Sequence, residues 1–108
     1  MKKILIIGGF GFLGKNLNNE LDNTNYEIYN ESRRTSCDML DFDSLKNKIS
    51  LINPDIIINC SAHVGSIAYV SKFPADVVHD NTLMYLNLYK VVNEINPNEF
   101  TGEFTRYR

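Results

Sequence analysis

Three glycines near the amino terminus have the types and spacing of a phosphate-binding turn. Gly8, Gly11 and Gly14 directly follow the uncharged run of residues 4–7. A run without polar alternation predicts a parallel strand that is buried on both faces. Glycine leaves the backbone of the next turn uncrowded, and a helix opening at Leu13 directs unpaired N–H groups toward phosphate oxygens. The pattern therefore predicts a turn that holds a dinucleotide pyrophosphate, and an ordinary tight turn is the alternative.

A polar segment lies about 20 residues further on, where a ribose contact is expected. It consists of Glu31, Ser32, Arg33 and Arg34. Glu31 can accept hydrogen bonds from an adenosine ribose, whereas the two arginines can bind a 2′-phosphate. The first option favours NAD and the second NADP, so the sequence leaves both cofactors open, with a solvated loop as the alternative. Asp38 can accept a hydrogen bond from the adenine amino group, and a short turn is the competing account.

Apolar spacing along the rest of the chain predicts alternating strands and helices. This succession favours a parallel sheet with right-handed crossovers. We expect an α/β fold, the amino-terminal half of a doubly wound, Rossmann-like NAD(P)-binding domain over residues 1–97. Residues 98–108 form a divergent tail that lacks the apolar run of a further strand. The expected strands are residues 4–7, 26–29 and 55–60, and the expected helices are residues 13–21, 42–52 and 74–95.

Local signals mark the ends of the two later helices. Asp41 is a candidate cap for the helix over residues 42–52, and Pro54 ends it. Pro74 suits the first turn of the long helix, and Pro97 closes that helix. Residues 61–73 are expected to form a connecting segment.

The long helix carries two apolar stripes. The first is expected to face the core, and it contains Asn81, a buried amide that would brace a neighbouring segment. The second stripe predicts another partner, either a missing helix or the same helix of a second subunit, which would give a homodimer. A broad core face is the alternative. The first stripe is Val77, Met84, Leu88, Val91 and Ile95, and the second is Val78, Tyr85, Tyr89 and Val92.

Composition excludes several classes of partner. The chain has 108 residues, is 44% apolar and 22% charged, and carries a net charge of -2. These values predict one small domain without the basic stripe that nucleic acid or a membrane surface requires. The apolar runs are too short to span a bilayer and the start of the sequence has no signal-peptide pattern, so we expect a cytoplasmic protein. Cys37 and Cys60 lack metal or redox spacing, so we expect reduced, structural thiols. His63 and His79 are isolated and are expected at loop or surface positions.

The turn from Gly8 to Gly14 resembles the cofactor turn of the extended short-chain dehydrogenase/reductases, the NAD-dependent epimerase/dehydratase family. Residues 59–67, 73–76 and 80–81 are similar to the corresponding stretch of GDP-L-fucose synthases and close relatives. The resemblance covers residue 3 to about residue 97. It implies an NAD(P) cofactor and a nucleotide-sugar substrate, with hydride transfer between nicotinamide and a sugar carbon in the intact enzyme.

The resemblance also assigns roles to residues. Adenine would lie near Asp38 and Met39, and Asn81 would support the active-site architecture. Phe10 stands where fucose synthases commonly carry a basic residue, which weakens the case for NADP, and Arg33 and Arg34 only partly restore it. The expected contacts of the pyrophosphate and nicotinamide ends are Gly8, Gly9, Phe10, Gly11, Phe12, Leu13, Gly14, Ser61 and Ala62.

The catalytic residues that the family uses are missing from this sequence. No tyrosine among the 108 residues has a lysine four positions later. Without that lysine, the pKa of a phenol is not lowered enough for proton donation at neutral pH. We therefore expect the cofactor half of such an enzyme, without turnover of its own. A non-catalytic nucleotide-binding or assembly module and a truncated product without independent activity are the alternatives.

Overall fold

A parallel four-stranded sheet in the order β2-β1-β3-β4 forms the centre of the structure. The structure is a computed structural model, and it describes residues 2–21, 25–61, 67–95 and 99–101. The strands are β1 (Lys2–Ile7), β2 (Tyr26–Glu31), β3 (Ile56–Asn59) and β4 (Glu99–Thr101). The helices are α1 (Phe12–Leu21), α2 (Phe42–Ile52), α3 (Ile67–Lys72) and α4 (Pro74–Ile95), with a 3-10 turn at Arg33–Thr35. The predicted α/β class and the incomplete Rossmann-like sheet are confirmed.

Strand β1 is covered on both faces, as its apolar run predicts. Ile4 and Ile6 pack in one cluster, against which Leu17 and Leu21 of α1 are placed. Leu5 and Ile7 alternate to the opposite face and join the larger cluster formed with α2 and α4. Because β1 pairs with β2 on one side and with β3 on the other, it is an interior strand of the sheet.

Helix α2 begins and ends where the local signals place it. The Asp41 carboxylate accepts hydrogen bonds from the N–H groups of Asp43 at 3.1 Å and Ser44 at 3.2 Å. At the other end, Asn53 adopts a left-handed conformation with φ of 52° and closes the helix just before Pro54. The predicted core face is confirmed, since Leu45, Ile49 and Ile52 are buried and Phe42 packs against them.

Helix α4 also has its predicted bounds, and its two stripes differ. Met84, Leu88 and Val91 of the first stripe are buried in the larger cluster. In the second stripe, Val92 packs against that cluster, but Val78 and Tyr89 are exposed. The second stripe is therefore only partly an extension of the core face. None of the described helices is long and apolar enough to cross a bilayer.

Besides shifts of one or two residues at the ends of β1, α1 and β3, the structure differs from the sequence prediction at three elements. Strand β2 continues through Glu31, two residues beyond its predicted end at Tyr29. Helix α3 occupies Ile67–Lys72, where only a connection was expected. It is a single short helix that packs against α4, and helices of this length owe their stability to packing rather than to their own sequence.

The third difference is β4, in the segment predicted to lack a strand. Glu99–Thr101 pairs in parallel with β3, with Ile56 opposite Glu99 and Ile58 opposite Thr101. This pairing uses the backbone of a distant strand, so three mostly polar residues carry no local signal for it. The prediction for Pro97 lies outside the described residues.

We expect Leu88→Ala to lower the free energy of unfolding by about 2–5 kcal/mol, because it opens a cavity in the core. Leu51→Ala on α2 should change it by no more than about 0.5 kcal/mol. Leu88 and Leu51 are 1% and 80% exposed, respectively. Urea denaturation of the two variants measures the difference, and equal losses would contradict the assigned core.

Candidate functional site

The strand order creates a crevice at the carboxyl ends of β1 and β3. From β1 the chain passes to β2, which pairs along one edge of β1, and it later crosses to β3, which pairs along the other edge. In open parallel sheets, ligands bind at such a reversal of strand order. The glycine turn follows β1 and the segment from Cys60 follows β3, so both border this crevice.

Gly8 is held between the ends of β2 and β3, the two strands that flank β1. Its N–H group donates to the carbonyl oxygen of Glu31 at the end of β2, at 2.9 Å. Its φ of 81° lies in the region that side-chain-bearing residues rarely adopt. A Cβ atom at Gly8 would also lie 2.9 Å from the backbone nitrogen of Ser61. The turn thus brings the predicted residues Glu31 and Ser61 to its two sides.

Gly9 and Gly14 are required by packing within the protein. A Cβ atom at Gly14 would clash with the carbonyl oxygen of Gly8 and with the backbone of Gly9. A Cβ atom at Gly9 would clash with the side chain of Asn30. These two glycines let α1 and β2 close against the turn.

Gly11 differs from these three glycines because the fold leaves the space beside it open. Among the described residues other than its two chain neighbours, only the Gly8 carbonyl oxygen lies within 4 Å of its Cβ position, at 3.5 Å. Its φ is not in the left-handed region. Phe10 and Phe12 on either side of it are exposed. Packing within the described part of the chain gives no reason for glycine here, so the open space fits a ligand that approaches the backbone.

The amino end of α1 adds positive potential beside this open space. Its first turn contains no acidic residue. In α2, by contrast, Asp41 caps the helix and Asp43 lies in the first turn. The N–H groups and dipole of α1 therefore keep more of their attraction for an external anion. A pyrophosphate fits both this charge and the space above Gly11.

Two asparagines that the sequence did not single out fix α1 to β2. The amide of Asn18 donates to Asn30 Oδ1 at 2.6 Å, and Asn30 Nδ2 donates back to Asn18 Oδ1 at 3.0 Å. Asn18 also donates to the Gly14 carbonyl oxygen at 2.9 Å. This reciprocal pair holds α1 and the glycine turn in register with β2. The sequence of an amphipathic helix does not reveal this pair, because the partner of Asn18 lies on the next strand.

The polar segment after β2 is more ordered than the solvated loop considered above. Ser32 caps the 3-10 turn: its Oγ accepts from the Arg34 N–H at 3.2 Å, and its own N–H donates to Thr35 Oγ1 at 2.9 Å. Arg33 and Arg34 are exposed on this turn. The side chain of Ser32 thus has a structural role, while the two guanidinium groups are accessible to a ligand.

Glu31 forms an ion pair that the sequence did not predict. Its Oε1 lies 3.4 Å from Nζ of Lys48 on α2. The side chains are 15% exposed for Glu31 and 23% for Lys48. The carboxylate is therefore directed to the face of the sheet that α2 covers.

The predicted adenine-side residues are anchored by the core. Asp38 Oδ1 accepts from the Leu40 N–H at 3.0 Å, which is the short turn considered as the alternative for this residue. The side chain of Met39 is buried in the larger cluster. The Met39 carbonyl oxygen accepts from Asn87 Nδ2 on α4 at 2.8 Å. Met39 as a whole is 3% exposed, so it anchors this segment in the core, and its place beside adenine stays a prediction.

At the end of β3, Asn59 is the buried polar residue of the site, at 1% exposure. Its Oδ1 accepts from the Ser61 N–H at 2.9 Å, which shapes the backbone beside Gly8. Its Nδ2 is buried and has no hydrogen-bond partner in the described structure. Ala62 and His63 lie outside the described residues.

The remaining candidates are separate from the turn. Asn81 lies half-buried on α4, so its bracing role stays a prediction. His79 is at the surface, as predicted, with Nδ1 3.2 Å from an oxygen of Asp80.

Burial, followed by the negative charge of Glu31, raises the pKa of Cys37 from its ordinary value near 9 to about 11, so this thiol stays protonated at neutral pH. No three His, Cys, Asp or Glu side chains in the described ranges could hold a metal ion together.

Comparison with known families identifies the class of protein. The model of the NAD dependent epimerase/dehydratase family matches residues 4–102, nearly the whole chain. The chain therefore belongs to this family. The match extends past Pro97, where the sequence comparison had ended the resemblance, and it includes β4. No curated protein sequence matches the chain closely.

Solved structures with the same fold include three nucleotide-sugar enzymes. The dTDP-4-dehydrorhamnose reductase from Bacillus anthracis, in complex with NADP, has a TM-score of 0.79 and 23% identity over 91% of this chain. A GDP-L-fucose synthetase from Naegleria fowleri, bound to NADP, has a TM-score of 0.80 and 21% identity over 92% of the chain. The UDP-glucose 4-epimerase of Thermus thermophilus, in complex with NAD, has a TM-score of 0.78 and 18% identity over 91%. This chain covers 34%, 32% and 36% of those proteins, respectively, or about one third of their lengths.

We expect Gly14→Ala to lower the free energy of unfolding by about 1 kcal/mol or more, because the clash with the Gly8 carbonyl outweighs the better helix propensity of alanine. Gly11→Ala should change it by no more than about 0.5 kcal/mol in either direction. Thermal and urea denaturation of both variants provide the measurement. A larger loss for Gly11→Ala than for Gly14→Ala would contradict the assignment of Gly11 to ligand space.

Proposed function

We propose that the chain binds NAD or NADP in the crevice beside the glycine turn. The open space at Gly11 carries this proposal, because the glycines at 8, 9 and 14 are explained by packing and the one at 11 is not. The amino end of α1, with no acid in its first turn, would attract the pyrophosphate. Family membership supports a nicotinamide dinucleotide as the ligand.

Each predicted residue has a part in this proposal. The backbone of Gly9, Phe10, Gly11, Phe12 and Leu13 would surround the pyrophosphate. Adenosine would lie across the 3-10 turn, near Asp38 and Met39. Ser61 and Ala62 would contact the cofactor from the β3 side, and Asn81 would brace the site from α4.

For the intact enzyme we infer a nucleotide-sugar epimerase, dehydratase or reductase similar to GDP-L-fucose synthase. Its chemistry would be hydride transfer between nicotinamide and a sugar carbon. The solved structures with this fold that carry nucleotide-sugar names support this class. Because none of the 108 residues forms a Tyr-x-x-x-Lys pair, this chain alone would bind cofactor without turning over a sugar.

We expect calorimetric titration to give saturable binding of NADP or NAD, and Gly11→Ala to weaken it about tenfold or more, because the added methyl group fills the ligand space. Glu20→Ala, at an exposed position of α1 away from the turn, is the control and should bind like the unmodified chain. Amide resonances of residues 8–14 should shift on titration. A folded sample in which neither cofactor binds would refute the proposed function.

A second candidate function, assembly through α4, is supported by the exposed side chains of Val78, Leu86 and Tyr89. These residues follow one another at helical spacing on one side of α4, and such a face on two copies of the chain is self-complementary. This arrangement would produce the predicted homodimer through residues 74–95.

We expect sedimentation velocity to give a dimer for the unmodified chain and a monomer for Leu86→Glu, because the charge cannot be buried in the interface. Leu51→Glu is the matched control, since Leu51 is exposed on α2. It should leave the dimer intact. A monomer at every concentration of the unmodified chain would exclude this candidate.

A further inference from the structure

We propose that Lys48 is a specificity-determining residue: it holds the Glu31 carboxylate on the α2 face of the sheet, and this leaves the end of β2 open to the 2′-phosphate of NADP. The inference rests on the proposed binding of a dinucleotide. It assigns the choice between the two cofactors to an ion pair that joins α2 to β2.

Strand alternation gives the direction of each side chain at the end of β2. Asn30 faces α1, because its amide bonds to Asn18 and lies against Gly9. Glu31, the next residue, therefore faces the opposite side, which α2 covers. The side chain that β2 presents to the glycine turn is a neutral amide whose oxygen and nitrogen are both engaged by Asn18.

The ion pair accounts for the position of Glu31. Its Oε1 is buried and has no hydrogen bond in the described structure, so the Lys48 ammonium at 3.4 Å is the group that offsets its charge. A desolvated carboxylate is costly without such a partner. Removal of the Lys48 charge would favour rotation of Glu31 toward water at the edge of the site. There its negative charge would repel a 2′-phosphate, and its oxygens could accept from the ribose hydroxyls of NAD.

The charges around this end of β2 favour a phosphate dianion as long as Lys48 is present. Arg33 and Arg34 are exposed on the turn that Ser32 caps, and guanidinium groups bind phosphate oxygens in pairs. Arg33, Arg34 and Lys48 are three cationic groups, set against the two carboxylates of Glu31 and Asp38. The excess is positive, and Lys48 offsets the charge of Glu31 at the end of β2.

The test measures Kd for NADP+ and NAD+ by calorimetry in four chains, with thermal melts to check folding. The unmodified chain should bind NADP+ more tightly than NAD+. Lys48→Met should weaken NADP+ binding roughly fivefold or more without weakening NAD+ binding. The reason is that it removes the positive charge of Lys48 and frees the Glu31 carboxylate to turn toward the site. Lys48→Met combined with Glu31→Gln should restore NADP+ binding. Lys46→Met is the control, since Lys46 lies on the same helix as Lys48 and forms an exposed pair with Glu94 of α4.

Several results would overturn the inference. It fails if the unmodified chain prefers NAD+, if Lys48→Met weakens both cofactors equally, or if the double variant does not recover. Should Lys48→Met not fold, Glu31→Gln alone decides. In Glu31→Gln, unchanged or tighter NADP+ binding together with unchanged NAD+ binding supports the inference. Weaker NAD+ binding by this variant shows that Glu31 already contacts the ribose, and it contradicts the inference. Absence of binding of either cofactor to the folded, unmodified chain instead refutes the proposed function, and the inference with it.

Discussion

The contact between the glycine turn and the ends of three strands constrains the rest of the site. Gly8 lies against the backbone of Ser61, and its N–H group bonds to the end of β2. Gly14 brings α1 down onto the same turn. Because each of these approaches leaves no room for a Cβ atom, the positions of α1, β2 and β3 relative to one another depend on glycine at these positions. The open space at Gly11 is a consequence of that packing.

Polar pairs then fix the elements that this turn brings together. Asn18 and Asn30 join α1 to β2, and Lys48 and Glu31 join α2 to the end of the same strand. The segment after β2 is tied to α4 through Asn87 and anchored in the core by Met39. A ligand that contacts this segment would meet a surface already held by hydrogen bonds and buried side chains, so little ordering would be needed on binding.

Much of the fold was predictable because its signals are local. The apolar run of β1, the Asp41 cap and the proline at the start of α4 act through neighbouring residues, and the bounds of α2 and α4 agree with them. Helix α3 was missed because it is short and depends on packing against α4. Strand β4 was missed because it is short and its partner β3 lies far away in the chain. At the site, the direction of Glu31 and the burial of Met39 could not be predicted, since Lys48 and the core decide them.

The sequence by itself determined the α/β class, the glycine turn and the family to which the chain belongs, because these depend on residue spacing and on local backbone freedom. Only the tertiary structure decided which glycine leaves space for a ligand and which face each polar residue of β2 occupies. It also decided that part of the second stripe of α4 stays exposed. The physical reason is that packing and charge pairing are made between residues far apart in the chain, and no local pattern records their partners.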